Sequence, residues 1–556
     1  MVCPMLTLVF YCLIKKNTFL FFWPHCGILC YMYNFVKYCL SNGAVIQPLA
    51  FDAKLAGYTG ICNPSVLVDT DGRIKTVLRN VNYAMFKNED EAFVNDTYGP
   101  LCYITPDSYN KLATRNFVMT YDGNVTEVDT SRLDVEPKWD FVGLEDARIV
   151  RWDGKLYLTG VRRDVDDIGT GRMELSELDE TTFAETRRVR IGVPKGLDGS
   201  YCEKNWMPIL DMPFHYVRWC DPLQILKVNP ETGASEIVLD KKSEIPCEGI
   251  RGSSQVITVG DRRMAIVHRC QLWFNEKGEK VQAEYTENFI VWDMDWNMVR
   301  VSKDFSFADF DIEFTNGLAY MDGKYVIPFA LQDNMSFVMV AGKDTVENFI
   351  YGRVGTSDAA LDPGDGILLR FFGDTKNSFY CSDMADWYYE SEQYAAAMVL
   401  YYRAAQYNTL NNTDFRYRNL YMVGMCLARM GDRDKHEANI WCRLIEMCPN
   451  RSEAYVAMSR FCYCRERVFE AYMYASAAER KNCYKDLGRF SDINEASGFL
   501  DYVRAKYSTE RYTECERELE KYLERNKERM SDREINSYIA VLLEIDNNKK
   551  KKVRVL

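Results

Sequence analysis

The sequence predicts a multidomain protein, an all-β five-bladed propeller followed by an α-helical solenoid of paired helices. Three observations carry that reading. Between about residues 47 and 352, short alternating runs are punctuated by Asp71-Gly72, Asp122-Gly123, Asp153-Gly154 and Asp322-Gly323, and by Asn229-Pro230 with Gly233. Such dipeptides between β-rich runs mark hairpins. The stretch is roughly 300 residues long, too much for one sandwich and suited to about five blades of four short strands. Beyond Ser382 the alternation gives way to a helical period with recurring small and aromatic residues.

Residues 1–46 are unlike the rest. Met1 to Ile14 is almost wholly apolar, Lys15-Lys16 follow, and an uncharged run extends from Asn17 to Val36. Thr18 to Val36 has bilayer-spanning length, but Pro24, His25, Tyr31, Tyr33 and Asn34 make it a poor helix for hydrocarbon. The expectation is divided between a membrane anchor and an extension outside the working protein, with Met32 or a neighbour as the start. Residues 47–352 are read as the propeller, 353–381 as a linker, 382–548 as helical repeats and 549–556 as a basic tail. In the repeats Ala404, Ala438 and Ala471 lie 34 and 33 residues apart, and Cys448-Pro449-Asn450 closes a unit. Tyr388/Tyr394, Tyr421/Leu427 and Tyr455/Phe461 are placed in the preceding helices, and Tyr507 to Asn526 in a last, capping pair. This period resembles that of tetratricopeptide repeats. Its aromatic and alanine positions are core packing, so function would lie on the concave face.

The net charge of −12 excludes a general nucleic-acid binder, which needs a basic face. The 19 Cys show no paired spacing and only four His are present, so no metal site is expected. Scattered thiols fit a reducing, cytoplasmic setting, with membrane association through residues 1–46 left open. The sequence has no G-x-G-x-x-G, phosphate-binding P-loop or H-E-x-x-H motif. Asp293/Asp295 and Asp309/Asp311 have the spacing of a metal-binding carboxylate pair, which also arises by chance.

Chemistry concentrates in the β region, above all where Glu145-Asp146-Ala147-Arg148 enters the strand before Asp153-Gly154. Successive strand residues face opposite ways, so Glu145 and Asp146 reach one ligand only if the backbone is irregular there. Asp146 is the candidate proton-transferring acid and Arg148 the anion or substrate clamp; the plainer alternative is an exposed ion-pair cluster. Other polar clusters recur about every 40–60 residues. They are Asn63-Pro64-Ser65, Arg79-Asn80-Val81-Asn82-Tyr83, Arg162-Arg163-Asp164, Glu203-Lys204-Asn205-Trp206, Arg251-Gly252-Ser253-Ser254-Gln255, His268-Arg269, Glu313-Phe314-Thr315-Asn316-Gly317 and Gln332-Asp333-Asn334. That spacing fits one contribution per blade to a central pocket.

Together GLEDARI, EKNWMPI, RGSSQV, His268-Arg269 and IEFTNGL with GKYVIPFALQDN resemble the five-bladed propeller carbohydrate enzymes of glycoside hydrolase family 130 and their glycosyltransferase-like relatives. The resemblance covers about residues 50–350. The family's inverting mannoside phosphorylases carry Glu-Asp-Pro-Arg with its Asp as catalytic acid; Ala147 stands here at the Pro position. The resemblance implies Asp146 as the acid, directly or through a sugar hydroxyl, with Glu145 beside it. It implies Arg148, Lys204, Arg251 and His268 around an anion, and Asn63, Arg79, Asn205, Asp333 and Trp206 as substrate contacts. Were water the nucleophile, a second carboxylate, Glu203 or Glu313, would act as base.

The implied function is inverting transfer of a glycosyl group, of mannosyl type, on a glycan or glycoconjugate. Inorganic phosphate or a sugar phosphate would be co-substrate, without a cofactor. A nucleotide-sugar-dependent glycosyltransferase and a catalytically silent glycan-binding propeller are the alternatives. The helical repeats imply a protein partner or a substrate-presenting surface.

Overall fold

Tight turns set the architecture. Asp153 and Gly154 both have left-handed backbones (φ 49° and 77°), as do Asp322 and Gly323 (50° and 73°). Two such residues in a row match the twist of the strands they join. The structure is a computed structural model that describes residues 33–87, 101–274, 280–353, 366–408, 412–478 and 481, with isolated helical positions between 511 and 524. The apolar residues 1–32, the capping pair and the basic tail of the sequence reading lie outside these, apart from those isolated positions.

Five sheets of four or more strands follow one another along the chain. The first is built from Ile61–Val68, Ile74–Val81, Leu112–Thr120 and Val125–Glu127, with Phe141–Val142 added in parallel. The second is a four-stranded meander, Glu145–Trp152, Lys155–Arg162, Arg172–Leu178 and Glu185–Arg190. The third repeats it with Met207–Pro208, His215–Cys220, Leu223–Val228 and Ser235–Lys241. The fourth centres on the long pair Arg262–Phe274 and Lys280–Asp293, and the fifth on Lys324–Leu331 and Met335–Gly342. A separate hairpin, Ala84–Lys87 with Leu101–Ile104, branches from the first.

Neighbouring sheets are stitched by side chains and backbone near their first strands. Ile149 N–H donates to Ser65 Oγ (3.1 Å), and Trp152 Nε1 to the Ile209 carbonyl (3.2 Å). Val256 N–H donates to the Pro208 carbonyl (2.9 Å), and Leu318 N–H to Gln255 Oε1 (3.2 Å). Asn316 Nδ2 then returns to the Asn63 carbonyl at 3.0 Å, so the contacts run from the first sheet to the fifth and back. Gln255 is the hub. Fully buried, its Nε2 donates to Ser65 Oγ and the Val66 and Ile149 carbonyls at 2.9, 2.9 and 3.1 Å.

The sequence boundary at residue 46 is corrected by the fold. Val45–Leu49 is the outer strand of the fifth sheet, with Val45 opposite Val340 and Leu49 opposite Ser336. Just before it, Phe35–Ser41 is a helix capped by Asn34. Its Phe35 packs on Phe305 and Phe349, with ring centroids 4.7 and 4.8 Å apart. Residues 33–46 therefore belong to the core and not with the apolar leader. No helix among the described residues is long and apolar enough to cross a membrane.

Helices take over from Lys343–Ile350 onward, and the stretch read as a linker already holds Ile367–Gly373 and the start of Ser378–Glu390. Tyr394–Gln406, Thr413–Met430, Asp434–Met447, Glu453–Cys464 and Val468–Ala478 follow, each packed on its predecessor. Asn377 and Asn412 supply side-chain caps, the preferred chemistry at a helix start. Ala404, Ala438 and Ala471 each sit in the second helix of a pair; Tyr394 opens a second helix instead of closing a first. Gly424 is required by close approach, since a Cβ there would lie 2.3 Å from the Trp441 ring.

The helices are not an appendage. One hydrophobic cluster runs from Phe289, Phe307 and Phe337 through Phe372 to Tyr401 and Leu427. Polar ties reinforce it: Thr375 Oγ1 donates to the Ala308 carbonyl (2.6 Å), Arg403 Nη2 to Asp309 (3.0 Å) and Arg433 Nη2 to Asn82 (2.8 Å).

Candidate functional site

Two irregular strand entries create the site. The pairing register slips between Cys62 and Ser65 in the first sheet and between Glu145 and Arg148 in the second. Within these bulges Asn63 and Asp146 adopt left-handed backbones, φ 47° and 51°. Short polar side chains tolerate that conformation best, and a bulge re-aims the residues it contains. Gly160 lies opposite, where a Cβ would come within 2.5 Å of the Glu145 carbonyl oxygen. Strand alternation thus no longer separates Glu145 from Asp146, and both carboxyls feel Arg79 and Lys204.

Asp146 is held on one side only. Its Oδ1 accepts from Asn63 Nδ2 at 2.8 Å and Arg79 Nη1 at 2.9 Å. Its Oδ2 has no hydrogen-bond partner among the described residues. Arg79 is aimed by Thr114 Oγ1 (3.1 Å) and the Tyr83 hydroxyl (3.4 Å), and that hydroxyl reaches Asp333 at 3.5 Å. Burial would raise the Asp146 carboxyl, but Arg79, Arg148, Asn63 and Lys204 together hold it below the usual carboxylate range. Glu145 moves the other way: burial outweighs its cations and raises it, and its Oε1 is buried without a partner. Asp333 is likewise raised by burial. Opposed shifts on adjacent carboxyls separate the pH ranges over which the two ionise.

The two directions predict opposite pH dependences. Ionised Asp146 stabilises the fold above the unfolded carboxylate range, and that contribution is lost as pH falls through its depressed folded value. Glu145 keeps its proton longer when folded, so its contribution declines as pH rises from about 4.3 to its raised folded value. Glu145→Gln is expected to flatten that decline in urea-unfolding series across pH 4–7. An unchanged slope would remove Glu145 as its source.

Three cations nearby have no ion-pair partner among the described residues. Lys204 is exposed. Arg251 lies 5.9 Å from the rings of both Tyr201 and Trp219. Arg163 stands 4.6 Å over Phe141. The charge of Lys204 is felt at Glu145, Asp146 and His268, that of Arg251 at His268, and that of Arg163 at Glu145.

Other expected site residues have different work. Arg148 is fully buried, and donates to the Ser253 carbonyl (2.9 and 2.7 Å) and the Asp146 carbonyl (2.6 Å). Burial lowers it to about 10. It braces the second sheet against the fourth and has no free fork to clamp an anion. Trp206 is 1% exposed within a core cluster beside Tyr216, so it offers no face to a sugar. Glu203 is consumed by Arg218 (2.7 and 3.0 Å) and the Trp206 indole (3.0 Å). Glu313 accepts the backbone N–H groups of Phe307, Ala308 and Phe310, and burial pushes it up to about 7. His268 is buried and lowered to about 3 by desolvation and by Lys204, Arg251 and Arg148, so it is neutral. Asn205 has a left-handed backbone and an unpartnered, buried Oδ1. Asp293 is spent on its own turn, accepting from Asp295 N–H (2.9 Å) and Asn297 N–H (2.8 Å).

No protein-family model matches the chain, and no curated protein matches it. Solved structures do. The β-1,2-mannobiose phosphorylase of Listeria innocua, in complex with β-1,2-mannobiose, is similar at 12% identity over 53% of this chain and 92% of its own, with a TM-score of 0.34. The mannose phosphorylase MPT-4 of Leishmania mexicana, in complex with a phosphate ion, is similar at 14% identity over 53% of this chain and 87% of its own, TM-score 0.32. MPT-1 of the same organism, a GDP-Man-dependent mannosyltransferase, is similar at 12% identity over 51% and 86%, TM-score 0.30.

Sequence reasoning placed Tyr83, Ser253 and Gln255 in polar clusters without giving them a role, and passed over Glu287. Only Glu287 carried a usable signal: it shares strand phase with Phe289 and Val291, an acid on an apolar face. The others were visible as polar letters in strands, without any hint of which neighbour they would meet.

Proposed function

We propose that the chain is a carbohydrate-active enzyme that transfers a glycosyl group, of mannosyl type, by an inverting route at the centre of a five-bladed β-propeller. On this reading the five sheets are the blades, Val45–Leu49 closes the ring, and the paired helices are tetratricopeptide-like repeats docked on its side. The observation that carries the proposal is the half-held Asp146: Oδ1 fixed by Asn63 and Arg79, Oδ2 open, Glu145 alongside. Inverting transfer needs a proton for the leaving oxygen and a nucleophile on the opposite face of the sugar. A phosphate nucleophile brings its own charge and needs cations, which Lys204, Arg251 and Arg163 supply without carboxylates of their own. Glu203 and Glu313, the carboxylates the resemblance offers as bases for water, are committed elsewhere. That favours an anionic co-substrate over hydrolysis.

In the free protein Asp146 is an anion and has no proton to give. An anion seated at Lys204 and its neighbours would offset the charges that depress Asp146 and repel its carboxylate, so the proton arrives with the co-substrate. That proton is drawn from solvent, and Glu145, raised by burial, lies alongside.

The test is a mass-spectrometric screen of residues 33–556 against mannoside acceptors with mannose 1-phosphate, GDP-mannose or, in the degrading direction, inorganic phosphate. Product from the sugar phosphate supports the proposal. Product from the nucleotide sugar alone would replace phosphorolysis by nucleotide-dependent transfer, and no product in any lane would overturn an enzymatic role on these sugars.

A further inference from the structure

Behind the site lies a buried polar line that the chemistry above leaves unused. Ser253 Oγ is 2.9 Å from His268 Nδ1 and 3.4 Å from Glu287 Oε2. His268 and Glu287 are paired residues on adjacent antiparallel strands, which places their side chains on one face. Glu287 is completely buried, and its Oε1 has no partner. No cation pairs with it among the described residues, and the negative charge of Glu313 adds to the effect of burial. A carboxylate so placed would be an uncompensated buried charge, so the group stays a neutral acid.

We infer that Glu287 is a positioning residue that fixes the tautomer of His268 through Ser253, so that a neutral imidazole presents Nε2–H towards an anion held beside Lys204 and Arg251. The direction of the anion rests on the function proposed above; the relay itself does not. A protonated Glu287 donates to Ser253 Oγ, and Ser253 then spends its only proton on His268 Nδ1. The imidazole proton must then sit on Nε2, an atom with no protein hydrogen bond among the described residues. Were Glu287 ionised, the chain would reverse: Ser253 would donate to Glu287, His268 Nδ1–H to Ser253, and Nε2 would carry a lone pair that repels an anion. Neutrality also has a purpose. Lys204, Arg251 and Arg148 already make a further positive charge unfavourable at His268, and burial holds the ring neutral with them. The ring therefore contributes a directed N–H to oxygen without adding to that repulsion.

Only four histidines are present, so selective 15N-histidine labelling of the chain isolates the His268 ring, assigned by its loss in His268→Gln. Long-range 1H–15N correlations are expected to show neutral Nε2–H from pH 5 to 8, with Nε2 shifting on addition of inorganic phosphate. Glu287→Gln, whose amide N–H can replace the acid O–H, is expected to keep this tautomer and to bind phosphate within about twofold of the wild type. Glu287→Met is expected to lose the preference and to bind phosphate about tenfold more weakly. An Nδ1–H tautomer in the wild type, or Nε2–H retained in Glu287→Met with full phosphate affinity, overturns the relay. Nε2–H that ignores phosphate supports the relay and overturns the anion-site reading of the proposed function.

Discussion

Asp146→Asn is expected to lose on the order of 10³-fold in kcat, with KM changed by no more than a few-fold. The substitution is close to isosteric, and an amide oxygen can still accept from Asn63 and Arg79, so the site keeps its shape and loses its ionisable group. The companion measurement is calorimetric. If an incoming anion raises the Asp146 pKa, phosphate binding takes up a proton, which titrations in buffers of different ionisation enthalpy detect. The sign follows from the free state: Asp146 sits below the usual range, so at neutral pH it starts without a proton and can only gain one. Phosphate affinity should therefore rise as pH falls. Proton uptake present in the wild type and absent in Asp146→Asn would tie the two groups together. Retained turnover in the variant would remove Asp146 from the chemistry.

Gln255→Leu is expected to cost about 4 kcal/mol of stability, the largest effect of any single polar side chain in the β region. Leucine fits the volume but strands four buried groups at once. The Val66 and Ile149 carbonyls and Ser65 Oγ lose a donor, and the Leu318 N–H loses its acceptor. Each unmet buried group costs about 1–3 kcal/mol, and they share one network, so relaxation of one cannot rescue the others. Ser65→Ala, which removes a single member, should cost about 1 kcal/mol. Urea unfolding of the three proteins compares these costs. Equal losses in the two variants would overturn this count of stranded groups.

What the sequence made legible was local. The Asp-Gly pairs announced hairpins because their left-handed backbones are a property of two residues. The switch from alternation to helical period after the sheets was likewise readable from neighbours. Partnerships across the chain were not. Strand parity pairs Asp146 with Arg148, two residues on; the bulge breaks that parity, and the guanidinium that reaches Asp146 comes from Arg79, 67 residues earlier. The resemblance implies Trp206 as a substrate contact, but an indole in a polar motif has two uses, and only burial chooses between them. The resemblance implies His268 at an anion, yet its charge depends on Lys204, Arg251 and Arg148, which converge only in the fold. The boundary at residue 46 failed for a related reason. Phe35 and Val36 end an apolar run in the sequence, whereas in space they belong to a core assembled from residues some 250 positions away.

The strand Val45–Leu49 has a temporal consequence as well as a spatial one. Its partner, Met335–Gly342, is translated roughly 290 residues later. At about 5–20 residues per second, a ribosome takes on the order of 15–60 s to produce it. Through that interval an early strand with an unsatisfied edge waits outside the exit tunnel while four sheets form behind it, a prime opportunity for pairing with the wrong chain. Biosynthesis therefore favours anything that holds this strand apart until the last β-strands arrive. A strand made early is among the last to find its place.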